Sequence, residues 1–242
     1  MTQVRKNNRA FNQIRPISIK TNVNSFAEGS CLITAGNTQI LCTASVEGKI
    51  PAFLKGTGSG WVTAEYGMLP RSTETRMDRE SVKGKQTGRT QEIQRLIGRS
   101  LRSCVDLKAL GENQIKIDCD VLSADAGTRT LAITGGFIAL YLALEKMVKQ
   151  GSLQSVPIKY FLAAVSCGII NDVALLDLDY SEDSSAQVDS NFVITDNGNI
   201  VEIQSSAEKD SFTEEQFNQM FSLAKLGIKD LIALQKQAIE QK

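Results

Sequence analysis

The sequence predicts an α+β protein of two related layers, each built from strands followed by a helix. Three observations carry that expectation: strand-like alternation in both halves, a long apolar-dense helix near the middle, and a second periodic helix at the C-terminus. At 242 residues the chain can bury a substantial core, and it reads as one domain over 1–242. No internal repeat is strong enough to prove that one half duplicates the other. Apolar residues make up 42% and charged residues 22%, the balance of an ordinary folded protein.

The elements follow in order. Pro16 to Thr21 reads as a strand. Ser30 to Ala35 and Thr38 to Val46 read as two more, joined by a tight turn at Gly36-Asn37. Gly60 to Glu65 suits another. Between Gly67 and Gly88 the chain is polar, basic and glycine-dotted, without an apolar period, which predicts a long surface connection. After Gly88 the residues Ile93, Leu96, Ile97, Leu101, Cys104 and Val105 recur at helical spacing, with Arg95, Arg99 and Arg102 on another face. Gln114 to Val121 alternates apolar with charged residues, as a half-buried strand does. A deeply buried helix is expected from about Thr130 to Lys149. Tyr160 to Ile170 and Val173 to Tyr180 read as strands around Asn171-Asp172, and Phe192 to Thr195 and Ile200 to Gln204 flank the turn Asp196-Asn-Gly-Asn199. A capping-box pattern at Thr213 and Gln216 opens a C-terminal helix whose apolar period continues to Ile239.

Composition removes several chemistries. The chain has no histidine, so histidine general bases, Ser-His-Asp triads and His-ligated zinc are excluded within one chain. Five cysteines (Cys31, Cys42, Cys104, Cys119, Cys167) are scattered and odd in number, which favours buried reduced thiols over a disulfide framework. The N-terminal stretch lacks the apolar core of a signal peptide, and no uninterrupted apolar run is long enough to cross a bilayer, so the cytoplasm is the expected location. Formal net charge is zero, but its distribution is uneven. Arg71 to Arg102 holds nine Lys/Arg against four Asp/Glu, and Asp172 to Asp189 holds six acids and no base. Taken alone, such runs are better explained as solvated faces than as sites for a polyanion and a divalent cation in different regions.

Three local patterns carry chemistry. The first is Ser123-Ala-Asp-Ala-Gly-Thr-Arg-Thr130 between a strand and a helix. Unpaired N–H groups at a helix start favour an anion; Gly127 permits close approach, Thr128 adds a hydroxyl, and Arg129 supplies a forked cation. Taken alone, the pattern is better explained as a cap in which Asp125 or Thr128 satisfies the helix end. The second is Gly88 to Arg102, where Arg89 stands at a helix mouth as Arg129 does, so the two could grip one phosphate from both sides. The third is Tyr180 to Asn191, which presents Asp183 and Asp189, either as ordinary loop acids or as ligands for Mg²⁺. Neither a P-loop nor a dinucleotide-binding glycine loop is present.

Asn12-Gln-Ile-Arg-Pro16, Glu28-Gly-Ser, Leu41-Cys-Thr-Ala-Ser, Trp61 to Ser72, Gly88 to Arg102, Asp118-Cys-Asp-Val-Leu, Gly127-Thr-Arg-Thr and Glu182-Asp-Ser together resemble the ribonuclease PH family in order and spacing, over nearly the whole chain. Ala126 departs from the pattern, which has glycine there. The resemblance implies a two-layer α+β fold with mixed β-sheets and packed helices, and a ring-shaped homohexamer built from dimers. It implies phosphorolytic 3′-to-5′ trimming of tRNA precursors and other RNA 3′ ends, with inorganic phosphate as co-substrate, nucleoside diphosphates as products and no role for DNA or a membrane. It assigns phosphate binding to Arg89, Gly127, Thr128 and Arg129, and both catalysis and Mg²⁺ binding to Asp183 and Asp189. Arg71, Arg76 and Arg79 are expected to contact RNA. The alternative is a non-catalytic RNA-binding subunit of a similar ring, which would be free to lose these residues, whereas all are present.

Overall fold

The first strand, β1 (Ile17–Thr21), opens a five-stranded sheet with β2 (Gly29–Ala35), β3 (Thr38–Glu47), β4 (Trp61–Met68) and β5 (Gln114–Ser123). The structure, a computed structural model, describes residues 5, 8–208 and 210–241. The strand order is β1-β2-β3-β5-β4, antiparallel except for the parallel β4–β5 pair. Alternation places Thr38, Ile40, Cys42 and Ala44 of β3 in the core, while Gln39, Leu41, Thr43 and Ser45 are half-buried. The segment between β4 and β5 carries α1 (Glu80–Lys83), α2 (Gly88–Cys104) and α3 (Leu107–Leu110). The short α1 lies inside the segment expected to be wholly irregular. Its single turn has no buried residue, so no apolar period announces it.

The central helix, α4 (Thr128–Lys149), has length and apolarity enough to cross a membrane, yet it is mostly buried within the protein. It begins two residues earlier than expected. Its Phe137, Ile133, Leu140 and Leu144 are fully covered, each such side chain contributing about 1.5–3 kcal/mol of burial free energy. Gly135 lets it settle on β2, because a Cβ there would stand 2.6 Å from Ile33 Cγ2.

A second sheet, in the order β7-β6-β8-β9, covers the opposite side of α4. It comprises β6 (Leu162–Ile170), β7 (Val173–Leu176), β8 (Val188–Thr195) and β9 (Ile200–Ala207), all antiparallel. Every residue of β6 is buried. Leu162 and Ala164 join the core around α4, while Ala163, Val165, Cys167 and Ile169 face α6 (Glu214–Glu240). The layers therefore run sheet, helices, sheet, helix. The capping box at Thr213 and Gln216 starts α6 as expected. The strand expected from Val173 to Tyr180 is shorter: β7 stops at Leu176, and Asp177 takes a left-handed backbone with φ +53°. Tyr180 instead opens the one-turn helix α5 (Tyr180–Asp183). All five cysteines are buried and free.

Candidate active site

β5 delivers the chain to the N-terminus of α4 through a turn in which Ala126 (φ +57°) and Gly127 (φ +65°) are both left-handed. Gly127 is the N-cap residue and no side chain caps the helix, contrary to the expected cap from Asp125 or Thr128. The Asp125 carboxylate is used elsewhere: it accepts from Tyr180 N at 3.0 Å and Asn37 Nδ2 at 3.2 Å. The first-turn N–H groups of α4 are thus left for an anion. Thr128 is buried, and its Oγ1 accepts from the Tyr66 hydroxyl at 2.8 Å. One lone pair of that oxygen takes the Tyr66 proton, and the Thr128 hydroxyl keeps its own proton as a donor.

Arg15 holds the turn from below. Its Nη1 donates to the Asp125 carbonyl, while Nε and Nη2 donate to Asp177 Oδ2 at 3.0 Å and Oδ1 at 2.7 Å. A Cβ on Gly127 would stand 2.8 Å from Arg15 Nη2, so the close packing requires glycine. Thr38 Oγ1 donates to the Ala126 carbonyl at 2.8 Å and accepts from Asp125 N at 2.9 Å. None of these clamping roles is visible in local spacing, because Arg15 and Thr38 lie far away in sequence.

Across the cleft stand the acids. α5 is closed by a capping box between Asp179 and Glu182, and two buried arginines grip it. Arg5 Nε and Nη2 donate to Glu182 at 2.8 and 2.7 Å, and Arg9 Nη2 donates to it at 3.1 Å. Asp183 follows at the end of this turn, and Asp189 sits near the start of β8 rather than in a loop. Burial raises the Asp183 carboxyl above its usual range, against the pull of Arg89 and Arg129. Burial, reinforced by the charge of Asp183, pushes Asp189 up to about 6. Asp189 Oδ1 is buried without a hydrogen-bond partner. An orphaned carboxylate oxygen beside a second carboxylate fits a divalent cation that takes one or two protein oxygens and keeps its waters. Among the described residues no group of three or more metal-ligating side chains occurs.

A cleft of about 970 Å³ joins the two sides, lined by Arg89, Gly127, Thr128, Arg129, Asp183 and Asp189 among others. Arg89 is exposed and makes no hydrogen bond or ion pair among the described residues. Of the three arginines expected to meet RNA, Arg76 lines this cleft; Arg71 donates to the Glu74 carbonyl at 3.1 Å and Arg79 precedes α1, neither lining it.

An uncapped helix start flanked by arginines and a carboxylate pair line one open cleft, carried on two sheets that share a central helix. Residues 13–144 match the model of the 3′ exoribonuclease family, domain 1, and residues 160–227 that of domain 2. The chain belongs to this family, and within it to the ribonuclease PH group. Ribonuclease PH of Caulobacter vibrioides is 58% identical over 236 residues, spanning 98% of this chain and 99% of that protein. Ribonuclease PH of Rhodospirillum rubrum is 56% identical, spanning 98% of each. Among solved structures, rice (Oryza sativa) Rrp46 superposes with a TM-score of 0.78 at 18% identity, covering 97% of this chain and 100% of that one. The Archaeoglobus fulgidus exosome with RNA bound to the active site gives 0.76 at 20% identity, covering 98% and 92%. These two likenesses establish the fold.

Proposed function

We propose that the protein is a phosphorolytic 3′-to-5′ exoribonuclease that trims tRNA precursors, with inorganic phosphate as co-substrate. The observation that carries this reading is the placement of Arg89, Arg129 and the uncapped start of α4 opposite Asp183 and Asp189 in one cleft. A nuclease that uses water needs the carboxylates but not a second anion site. In the proposed reaction, phosphate held by Arg89, Thr128, Arg129 and the amides after Gly127 attacks the terminal phosphodiester in line. A new P–O bond forms, the bond to the ribose 3′ oxygen breaks, and that oxygen leaves with a proton as the new RNA end. The product is a nucleoside diphosphate, and the reaction is reversible.

The nucleophile is already an anion, so a chain without histidine suffices. The protein's work is alignment: the arginine forks orient the attacking oxygens, and Arg76 stands where it would meet the RNA backbone. Asp183 and Asp189 are the residues that would hold Mg²⁺, which supplies charge neutralisation at the scissile phosphate. Arg71 and Arg79, set outside the cleft, are assigned to RNA farther along the strand. We assign the same single domain, 1–242, to a homohexamer organised as a trimer of dimers in the cytoplasm, on the family relationship.

The deciding experiment incubates the protein and Mg²⁺ with 3′-extended tRNA, with and without phosphate, and identifies the released mononucleotide. Diphosphates formed only with phosphate are expected. Monophosphates released equally without it would make water the nucleophile.

A further inference from the structure

Arg129 is held from behind by a residue that does not line the cleft. Its Nη1 donates to Gln204 Oε1 on β9 at 3.1 Å. Gln204 Nε2 donates in turn to Glu202 Oε1 at 3.4 Å, and Glu202 receives Arg99 Nε and Nη2 at 2.9 and 2.6 Å. A guanidinium only donates and a carboxylate only accepts, so an amide between them satisfies both in one orientation, oxygen toward Arg129 and nitrogen toward Glu202. The forked Arg99–Glu202 pair thereby fixes which end of the amide Arg129 meets. Arg129 Nε and Nη2 make no hydrogen bond among the described residues.

We propose that Gln204 is a positioning residue for phosphate use. It anchors one nitrogen of the Arg129 fork so that the remaining N–H groups face the co-substrate. A neutral acceptor suits this role, because it orients the guanidinium without neutralising the charge that phosphate must find. Glu92 Oε1, 3.7 Å from the same Nη1, is more than half exposed and adds little orientation. The β8–β9 register sets Gln204 opposite Asn191, next but one to Asp189, so the anchor of Arg129 and the acid side of the cleft share one strand pair. This inference rests on the reading of Arg129 as a phosphate ligand.

The test uses the full-length protein with Gln204→Leu, which removes the acceptor, and Gln204→Glu, which keeps the shape but carries a charge. KM for phosphate at saturating tRNA, KM for tRNA at saturating phosphate, kcat and the melting temperature are measured for each. Gln204→Leu should raise the phosphate KM about two- to tenfold, the range of one hydrogen bond's net contribution, with the tRNA KM unchanged. Gln204→Glu should raise it further, since the new carboxylate competes with phosphate for Arg129 and repels Glu202. A purely structural role would make the isosteric variant the milder one and move the melting temperature instead. If Arg129→Lys alters phosphate use while both Gln204 variants keep a wild-type phosphate KM, the anchor is wrong and the phosphate reading stands. If Arg129→Lys leaves phosphate dependence untouched, the reading of Arg129 itself fails. A raised tRNA KM with unchanged phosphate KM would make Gln204 an RNA contact and also overturn the proposal.

Discussion

The Tyr66 hydroxyl donates to Thr128 Oγ1 at 2.8 Å, linking the edge strand of the first sheet to the first residue of the anion-facing helix. Both groups are buried, so the bond orients the threonine hydroxyl without competition from water. Tyr66→Phe should cost about 1 kcal/mol of stability and raise the phosphate KM while leaving tRNA binding intact. Urea denaturation and phosphate titrations check the two halves of that expectation.

Arg129→Lys keeps the charge but loses the planar fork. If this arginine aligns the attacking phosphate, the substitution should cost about 2–4 kcal/mol of transition-state stabilisation, and weaken phosphate use far more than tRNA binding. Arg89→Lys should act in the same direction. The double variant should lose less than the sum, because both forks would hold one anion. Lost tRNA affinity with unchanged phosphate dependence would remove the clamp from the mechanism.

Asp189 supplies a pH signature. Its folded-state pKa of about 6 lies above the ordinary 3.8, mainly through burial, so the folded chain binds this proton more tightly than the unfolded one. The resulting stabilisation of the metal-free protein is complete below the ordinary value and is lost as pH rises through about 6. Mg²⁺ competes with the same proton. The rise in melting temperature produced by Mg²⁺ should therefore be small near pH 5 and grow toward about pH 7. Asp189→Asn should abolish both the pH-linked change and most of the turnover; a Mg²⁺ response that survives in Asp189→Asn and Asp183→Asn together would demote the pair to ordinary acids.

Asp177 is the buried counter-charge of Arg15, and its carbonyl also receives Arg5 and Arg9. Asp177→Asn should destabilise the fold by about 3–5 kcal/mol, the usual loss when one partner of a buried ion pair is removed. Replacing both partners, as Arg15→Met with Asp177→Asn, should cost less than the sum in chemical denaturation.

Ala126 holds a left-handed conformation that costs a side-chain-bearing residue about 1–2 kcal/mol. Ala126→Gly should therefore stabilise the protein by about 1 kcal/mol, read as a higher urea midpoint with an unchanged slope.

Periodicity made most strands and the long helices legible because it reports which face is buried; β6 was legible as a strand, but its burial at every position was not, since a strand covered on both faces does not alternate. Periodicity failed at the end of β7, where a single left-handed Asp177 turns the chain toward α5 and no local pattern distinguishes that from a longer strand. The residues proposed for phosphate and metal stand out as motifs, and they line one cleft. The residues that aim them do not stand out: Arg15 with Asp177, Tyr66 with Thr128 and Gln204 with Arg129 are pairings between distant segments, and a one-dimensional pattern carries no signal for them. Asp125 looked like a helix cap from its position, yet its carboxylate is drawn to the backbone of Tyr180 on the other side of the cleft.

The carboxylates that Arg5 and Arg15 pair with lie 162 to 177 residues further along the chain. During synthesis the turn at Ala126 and Gly127 is made before Asp177 and Glu182, the carboxylates that hold Arg15 and the arginines gripping α5. Contacts of such long range form late in folding. Completion of the cleft is thereby tied to synthesis past Glu182, because the clamps on the Ala126-Gly127 turn and on α5 both need carboxylates from that later segment.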